Sequence, residues 1–201
     1  ISPELGNETI SVVFFHDNGL KKSQQIFSDL NRHAVNTTSS IGILYDYRDR
    51  LSIITEDLVS LIPLLNRYTD KEKVSLSKNS PKILALNHIF NTNMKLLGKT
   101  KGDDITEEEE QFLKDFWIIL CESIKEWNLV FNKELTPRDL RANYIVGHGV
   151  FIEAVGLVGK YLRNNHNGQW EDYIKKLGSV DWNRTNTDDW LGRAFTPNGR
   201  I

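Results

Sequence analysis

The chain has 201 residues, of which 39% are hydrophobic, and a formal net charge of −2 at pH 7. That is enough apolar material to bury a core without covalent staples, and the near balance of charge argues against bulk, non-specific nucleic-acid binding while leaving room for a local basic face. The single cysteine, Cys121, excludes an intrachain disulfide framework and a Cys-based zinc site.

Ser2 to Thr9 is turn-rich, and Ile10-Ser-Val-Val-Phe-Phe15 is a short apolar run of high β propensity that suits a buried strand. Asp17-Asn-Gly19 ends it. Leu20 to Arg32 then reads as a helix with Leu20, Gln24, Phe27 and Leu30 on its inner face. Asn36 to Ser40 is a break rich in capping residues. Ile43 to about Leu65 reads as one long helix, because Leu44, Leu51, Ile54, Leu58, Leu61 and Leu65 fall on one side; Pro63 tightens or kinks its end. Residues 69–80 are polar and loop-like. Pro81 fits the first turn of a helix from Lys82 to about Leu97, and Gly98 to Asp104 reads as a flexible linker.

Thr106-Glu-Glu-Glu109 is a capping box, which predicts a helix to about Phe131 with Phe112, Phe116, Ile119 and Trp127 inward. The glutamates of its first turn suit the positive helix end. Thr136-Pro137 opens another helix, and Gly147-His-Gly149 interrupts it. Val150 to Arg163 is again helical, with Ala154, Gly156 and Gly159 allowing close packing. The tail carries Trp170, Trp182 and Trp190, read as a satellite core or docking surface, with one short helix near Trp170–Leu177.

One early strand and five or six helices make an α+β, predominantly helical chain. A lone strand leaves backbone groups unsatisfied. Its partners are therefore expected in a segment before Ile1, which agrees with the lack of an initiator Met, and the chain reads as the later part of a longer protein. No apolar run reaches the ~18 residues of a membrane span, and no signal-peptide pattern is read. With one reduced cysteine, a cytoplasmic protein is expected.

Walker A, G-x-G-x-x-G, G-x-S-x-G and H-E-x-x-H motifs do not occur. His16, His33, His88, His148 and His166 are not spaced with each other or with Cys121 as helix-borne metal ligands, so no zinc or iron site is expected. Three places hold chemistry-bearing residues. Asp29, Asn31, Arg32 and His33 sit at a helix end, where they read either as C-capping groups or as a phosphate-contacting cluster. Tyr45-Asp-Tyr-Arg-Asp-Arg50 reads either as a solvated helix face, with Asp46 and Arg50 as an i, i+4 pair, or as a nucleic-acid face, since Arg and Tyr contact phosphates and bases. Lys21 and Lys22 open one helix and Arg138 and Arg141 another, where anion binding and simple exposure are both open readings.

Three segments carry a resemblance to a known family. They are Ser2 to Phe15, Lys22-Ser-Gln-Gln-Ile-Phe-Ser-Asp-Leu-Asn-Arg-His-Ala34 and Leu44-Tyr-Asp-Tyr-Arg-Asp49, with Asp181-Trp-Asn-Arg184 and Gly192-Arg193 in the tail. Together they resemble DndB of the DGQHR-domain group, just downstream of the motif that names it; the Asp-Gly-Gln-His-Arg motif itself does not occur here. The resemblance implies a ParB-like fold, with residues 1–50 as the C-terminal part of the DGQHR domain and residues 51–201 as a helical region. It also implies a DNA-binding repressor of an operon for DNA phosphorothioate modification, without a cofactor, acting as a homo-oligomer on double-stranded promoter DNA. Phe27-x-Asp29-x-Asn31 and Arg48 match the family as site contributors. The expected DNA-contacting set is Lys21, Lys22, Arg32, His33, Tyr47, Arg48, Arg50, Arg138 and Arg141. The alternatives are a ParB-like enzyme using ATP with Mg²⁺, with Asp29 and Asn31 in its site, and a helical domain that docks onto other modification proteins.

Overall fold

The computed structural model describes residues 19–34, 38–166, 168–196 and 198, with the backbone alone for 30–34. The strand expected over Ile10–Phe15 lies outside the described residues. Among those described, eleven α-helices run in order: α1 (Leu20–Ala34), α2 (Ser39–Leu44), α3 (Arg50–Leu61), α4 (Pro63–Tyr68), α5 (Leu86–Leu97), α6 (Glu107–Ser123), α7 (Lys125–Phe131), α8 (Pro137–Asn143), α9 (Gly149–Asn165), α10 (Trp170–Lys175) and α11 (Thr187–Trp190). A small parallel pair, β1 (Thr69–Asp70) with β2 (Leu84–Ala85), lies between α4 and α5, with Thr69 opposite Leu84. The class is α+β and predominantly helical. No helix among the described residues is long and apolar enough to cross a membrane.

Three helices expected to be continuous are divided or shortened, each for a local reason. The stripe over 43–65 is cut twice. Asp49 leaves the helical region and caps α3 by accepting from the Ser52 backbone N–H at 2.8 Å. Pro63 takes the first position of α4, where its missing N–H is harmless, and Ile62 before it is extended. The second break turns Leu61 out to solvent, although its spacing matched the buried leucines. The capping box of Thr106 and Glu109 forms as expected, but its helix stops at Ile124, which is extended. The Asn128 side-chain amide then serves the carbonyls of Cys121, Glu122 and Ile124 that the break frees. Residues 81–85 are not helical, and Leu84–Ala85 forms β2. The Arg141 guanidinium holds this stretch, donating to the carbonyls of Lys78, Ser80 and Lys82, and the Ile83 N–H bonds the Tyr68 carbonyl at 2.8 Å.

The core is organised around α5, which packs most extensively against α9 and also touches α2, α3 and α6. A Cβ on Gly159 would lie 2.5 Å from Leu96 Cδ2 and 2.6 Å from Phe116 Cε2, so only glycine allows α9 this close. Ala154, expected to help, is exposed. At the centre is a buried polar chain. Trp117 Nε1 donates to Asn93 Oδ1 at 2.7 Å, Asn93 Nδ2 donates to Thr55 Oγ1 at 3.0 Å, and the Thr55 hydroxyl donates to the Leu51 carbonyl at 2.7 Å. It joins α6, α5 and α3 through fully buried groups, each of which finds its partner inside the core. Of the tail tryptophans Trp182 is buried in the core, and Trp170 and Trp190 are half-buried against it. Trp182 stacks on Trp190 at 5.0 Å and meets the edge of Phe151 at 4.9 Å, while Trp170 packs on Phe112 and Phe116. Cys121 is buried, and burial pushes its thiol well above the usual range, as expected of an inert core cysteine.

Asn93→Ala leaves the Trp117 indole N–H without its acceptor and opens a cavity. It should lower stability by about 3 kcal/mol, a fall in Tm of about 6–12 °C, measured by thermal unfolding. Glu126 gives a pH test. Its Oε2 is buried without a hydrogen-bond partner, and burial, with Asp181 nearby, raises its carboxyl above the ordinary value of 4.5, against the opposing pull of Lys125 and a backbone hydrogen bond. A raised carboxyl pKa contributes stability that is fully present below the unfolded value and lost as pH rises through the folded one. Glu126→Gln should therefore unfold at a higher temperature than wild type at pH 7, and the gap should close as pH falls below about 4.

Candidate nucleic-acid interface

The site is built on the turn between α2 and α3. Asp49 is buried, and both its oxygens are used: Oδ2 accepts from the Ser52 N–H at 2.8 Å and hydroxyl at 2.6 Å, and Oδ1 accepts from the Gly102 N–H at 2.9 Å. Asp46, also buried, turns one oxygen to the Arg48 N–H at 3.3 Å and the other to Lys101 Nζ at 2.7 Å. Two carboxylates thus fasten the turn to the 98–104 loop, which Lys99 anchors in turn through Glu109 at 2.5 Å and the Asp104 carbonyl at 2.6 Å. The stretch expected to be a flexible linker is a clamp.

α1 docks on this turn through polar groups. The Tyr47 hydroxyl donates to Gln24 Oε1 at 2.7 Å, and the Tyr47 N–H donates to Gln25 Oε1 at 2.9 Å. Gln25 Nε2 donates to Asp29 Oδ1 at 3.1 Å, and Asp29 Oδ2 pairs with the Arg48 guanidinium. Lys21 Nζ lies over the Tyr47 ring, 5.7 Å from its centre. Burial, with Glu56 and Tyr45 behind it, raises the Tyr47 phenol above its ordinary value of 10.0, so it stays a proton donor. The inner face of α1 is therefore Gln24, Gln25 and Ser28. Leu20 and Phe27, expected inside, are 74% and 59% exposed.

The structure brings Lys21, Asp29, Tyr47 and Arg48 together. Arg48 is exposed, and its pair with Asp29 uses one end of a five-donor group, leaving donors for a ligand. Lys22 is exposed on the same helix. Asn31, Arg32 and His33 fall in the last turn of α1, where side chains are outside the description. The expected Asp46–Arg50 pair does not form, since the helix is broken between them; Arg50 reaches Glu110 of α6 at 2.6 Å instead. Arg138 is exposed in the first turn of α8, which Thr136 caps with Pro137 at its start, as expected. Arg141 is buried and committed to the three carbonyls of the 78–82 stretch. Reasoning from residue patterns missed Lys101, although two lysines in a glycine-flanked loop were visible there. Among the described residues no group of three or more His, Cys, Asp or Glu side chains could hold a metal ion.

The chain is thus a predominantly helical α+β protein whose α2–α3 turn gathers Lys21, Tyr47 and Arg48, with Lys101 paired to Asp46 beneath it. The chain belongs to the DndB family, whose description is DNA-sulfur modification-associated and whose model matches residues 1–201. Its role thus lies with DNA sulfur modification. No curated protein and no solved structure matches the chain.

Asp49→Ala removes a helix cap and orphans the Gly102 N–H. It should lower stability by about 2 kcal/mol, or about 4–8 °C in Tm. Asp49→Asn keeps the cap but turns its NH2 towards the Gly102 N–H, so it should recover only the capping part of that loss in the same thermal-unfolding assay.

Proposed function

We propose that the chain is the DNA-contacting portion of a transcriptional repressor of a DNA phosphorothioate modification operon, acting in the cytoplasm on double-stranded promoter DNA as a homo-oligomer. The observation that carries this reading is the gathering of Lys21, Tyr47 and Arg48 at a turn pinned by two buried aspartates, with Lys22 exposed on the same helix as Lys21. Cations on a rigid turn contact phosphates without ordering themselves first, so little conformational entropy opposes binding. Arg48 is oriented by Asp29 and keeps free donors, and Tyr47 offers a ring beside Lys21. Membership of the DndB family supports the reading, because a modification system acting on DNA needs its expression controlled at DNA. Arg141 is left out of the contact set, since its donors serve the backbone. The reading as an enzyme using ATP with Mg²⁺ would draw on Asp29, but Asp29 is engaged by Gln25 and Arg48, which weighs against a metal-holding role.

The test is Arg48→Ala in binding titrations on the protein's own promoter DNA across a salt series. Affinity should fall several-fold and the slope of log K against log salt should drop by about 1. The Tm should hardly move, because an exposed ion pair contributes only about 0–1 kcal/mol. Unchanged affinity would remove Arg48 from the interface, and a thermal shift with ATP and Mg²⁺ in place of DNA binding would favour the enzyme.

A further inference from the structure

A groove of about 270 Å³ lies between α2, α5 and the 98–104 loop. Its floor is apolar, formed by Ile43 and Phe90, which are 6% and 4% exposed. Its rim carries donors. Ser39 and Asn91 line it, and neither side chain has a hydrogen-bond partner among the described residues. Lys101 closes one end, with its ammonium 2.7 Å from Asp46. No carboxylate lines the groove itself. An apolar floor under a rim of neutral and cationic donors selects a compact ligand that is carbon-rich on one side and anionic on the other.

Gly42 supplies an independent observation. It sits inside α2, where glycine is a poor helix former. The glycines of α9, Gly149, Gly156 and Gly159, face side chains that a Cβ would strike, whereas a Cβ on Gly42 meets nothing within 4 Å. Packing within the fold therefore gives no reason for glycine here. The residue does line the groove, and a bare backbone there leaves room for a ligand to come close.

We propose that this groove receives one sugar–phosphate unit of the DNA backbone. Lys101, Ser39 and Asn91 hold the phosphate, and the sugar's carbon face lies over Ile43 and Phe90. The inference rests on the DNA-binding reading and adds to it a second contact, which Asp46 connects to the turn by holding both Lys101 and the Arg48 N–H.

The test uses Gly42→Ala and Lys101→Gln in the whole chain, with promoter DNA in a salt series and thermal unfolding in parallel. Gly42→Ala should raise Tm by about 2 °C, since alanine favours the helix and its methyl meets nothing. It should also weaken DNA binding by about tenfold, a pairing of effects that a merely structural role would not produce. Lys101→Gln should lower the salt slope by about 1, but it also frees buried Asp46 and loosens the turn under Arg48, so Gly42→Ala decides the groove. If wild type binds promoter DNA and Gly42→Ala binds equally well, the groove proposal fails and the repressor reading stands. If wild type shows no specific DNA binding, the repressor reading fails, and a thermal shift with deoxyadenosine monophosphate decides the groove. A shift in wild type that Gly42→Ala abolishes keeps it as a site for a free sugar phosphate. No shift in wild type overturns it.

Discussion

The buried carboxylate of Asp49 is the constraint on which the turn and everything displayed by it depend. An aspartate taken out of water must have its oxygens filled, and here a helix start and a loop backbone fill them. That single requirement ends the apolar stripe begun at Ile43, sets the direction of α3, and ties the α2–α3 turn to the loop before α6. Asp46 repeats the device one step earlier through Lys101. With both ends of the turn held, α1 can dock by hydrogen bonds, and Tyr47 and Arg48 sit on a rigid base.

Beneath the turn, the chain from Trp117 through Asn93 and Thr55 to the Leu51 carbonyl does for the core what Asp49 does for the surface. It uses directional bonds to specify how α3, α5 and α6 meet, where apolar packing alone would tolerate sliding. The shared element is α3, which starts at Asp49 and carries Leu51 and Thr55 in its first two turns. Surface turn and core network are thus rigidly connected.

Much of the fold was legible in the residues. The capping box at Thr106, the Thr136-Pro137 start, and the small residues of α9 at Gly156 and Gly159 all follow from local chemistry and appear as read. Pro63 marked the break at Ile62, but those at Asp49 and Ile124 were not legible, because hydrophobic period continues across them. What stops the helix is a long-range bond, such as Gly102 to Asp49, or a side chain such as Asn128 that serves the freed carbonyls. The non-helical 81–85 stretch has the same origin in Arg141, some sixty residues away in sequence. Of the site, the Tyr47–Arg48 segment was visible from its density of polar and aromatic groups. The polar face of α1 and the part played by Lys101 were not, because period pointed to Leu20 and Phe27 and a glycine-rich loop reads as slack.

The central claim is that this surface binds DNA with a preference for its own promoter. The most direct measurement is the affinity of the protein for that promoter across a salt series, with scrambled duplex as competitor. The account predicts binding that weakens steeply with salt and survives the competitor. Binding that the scrambled duplex abolishes, or none at low salt, would contradict it.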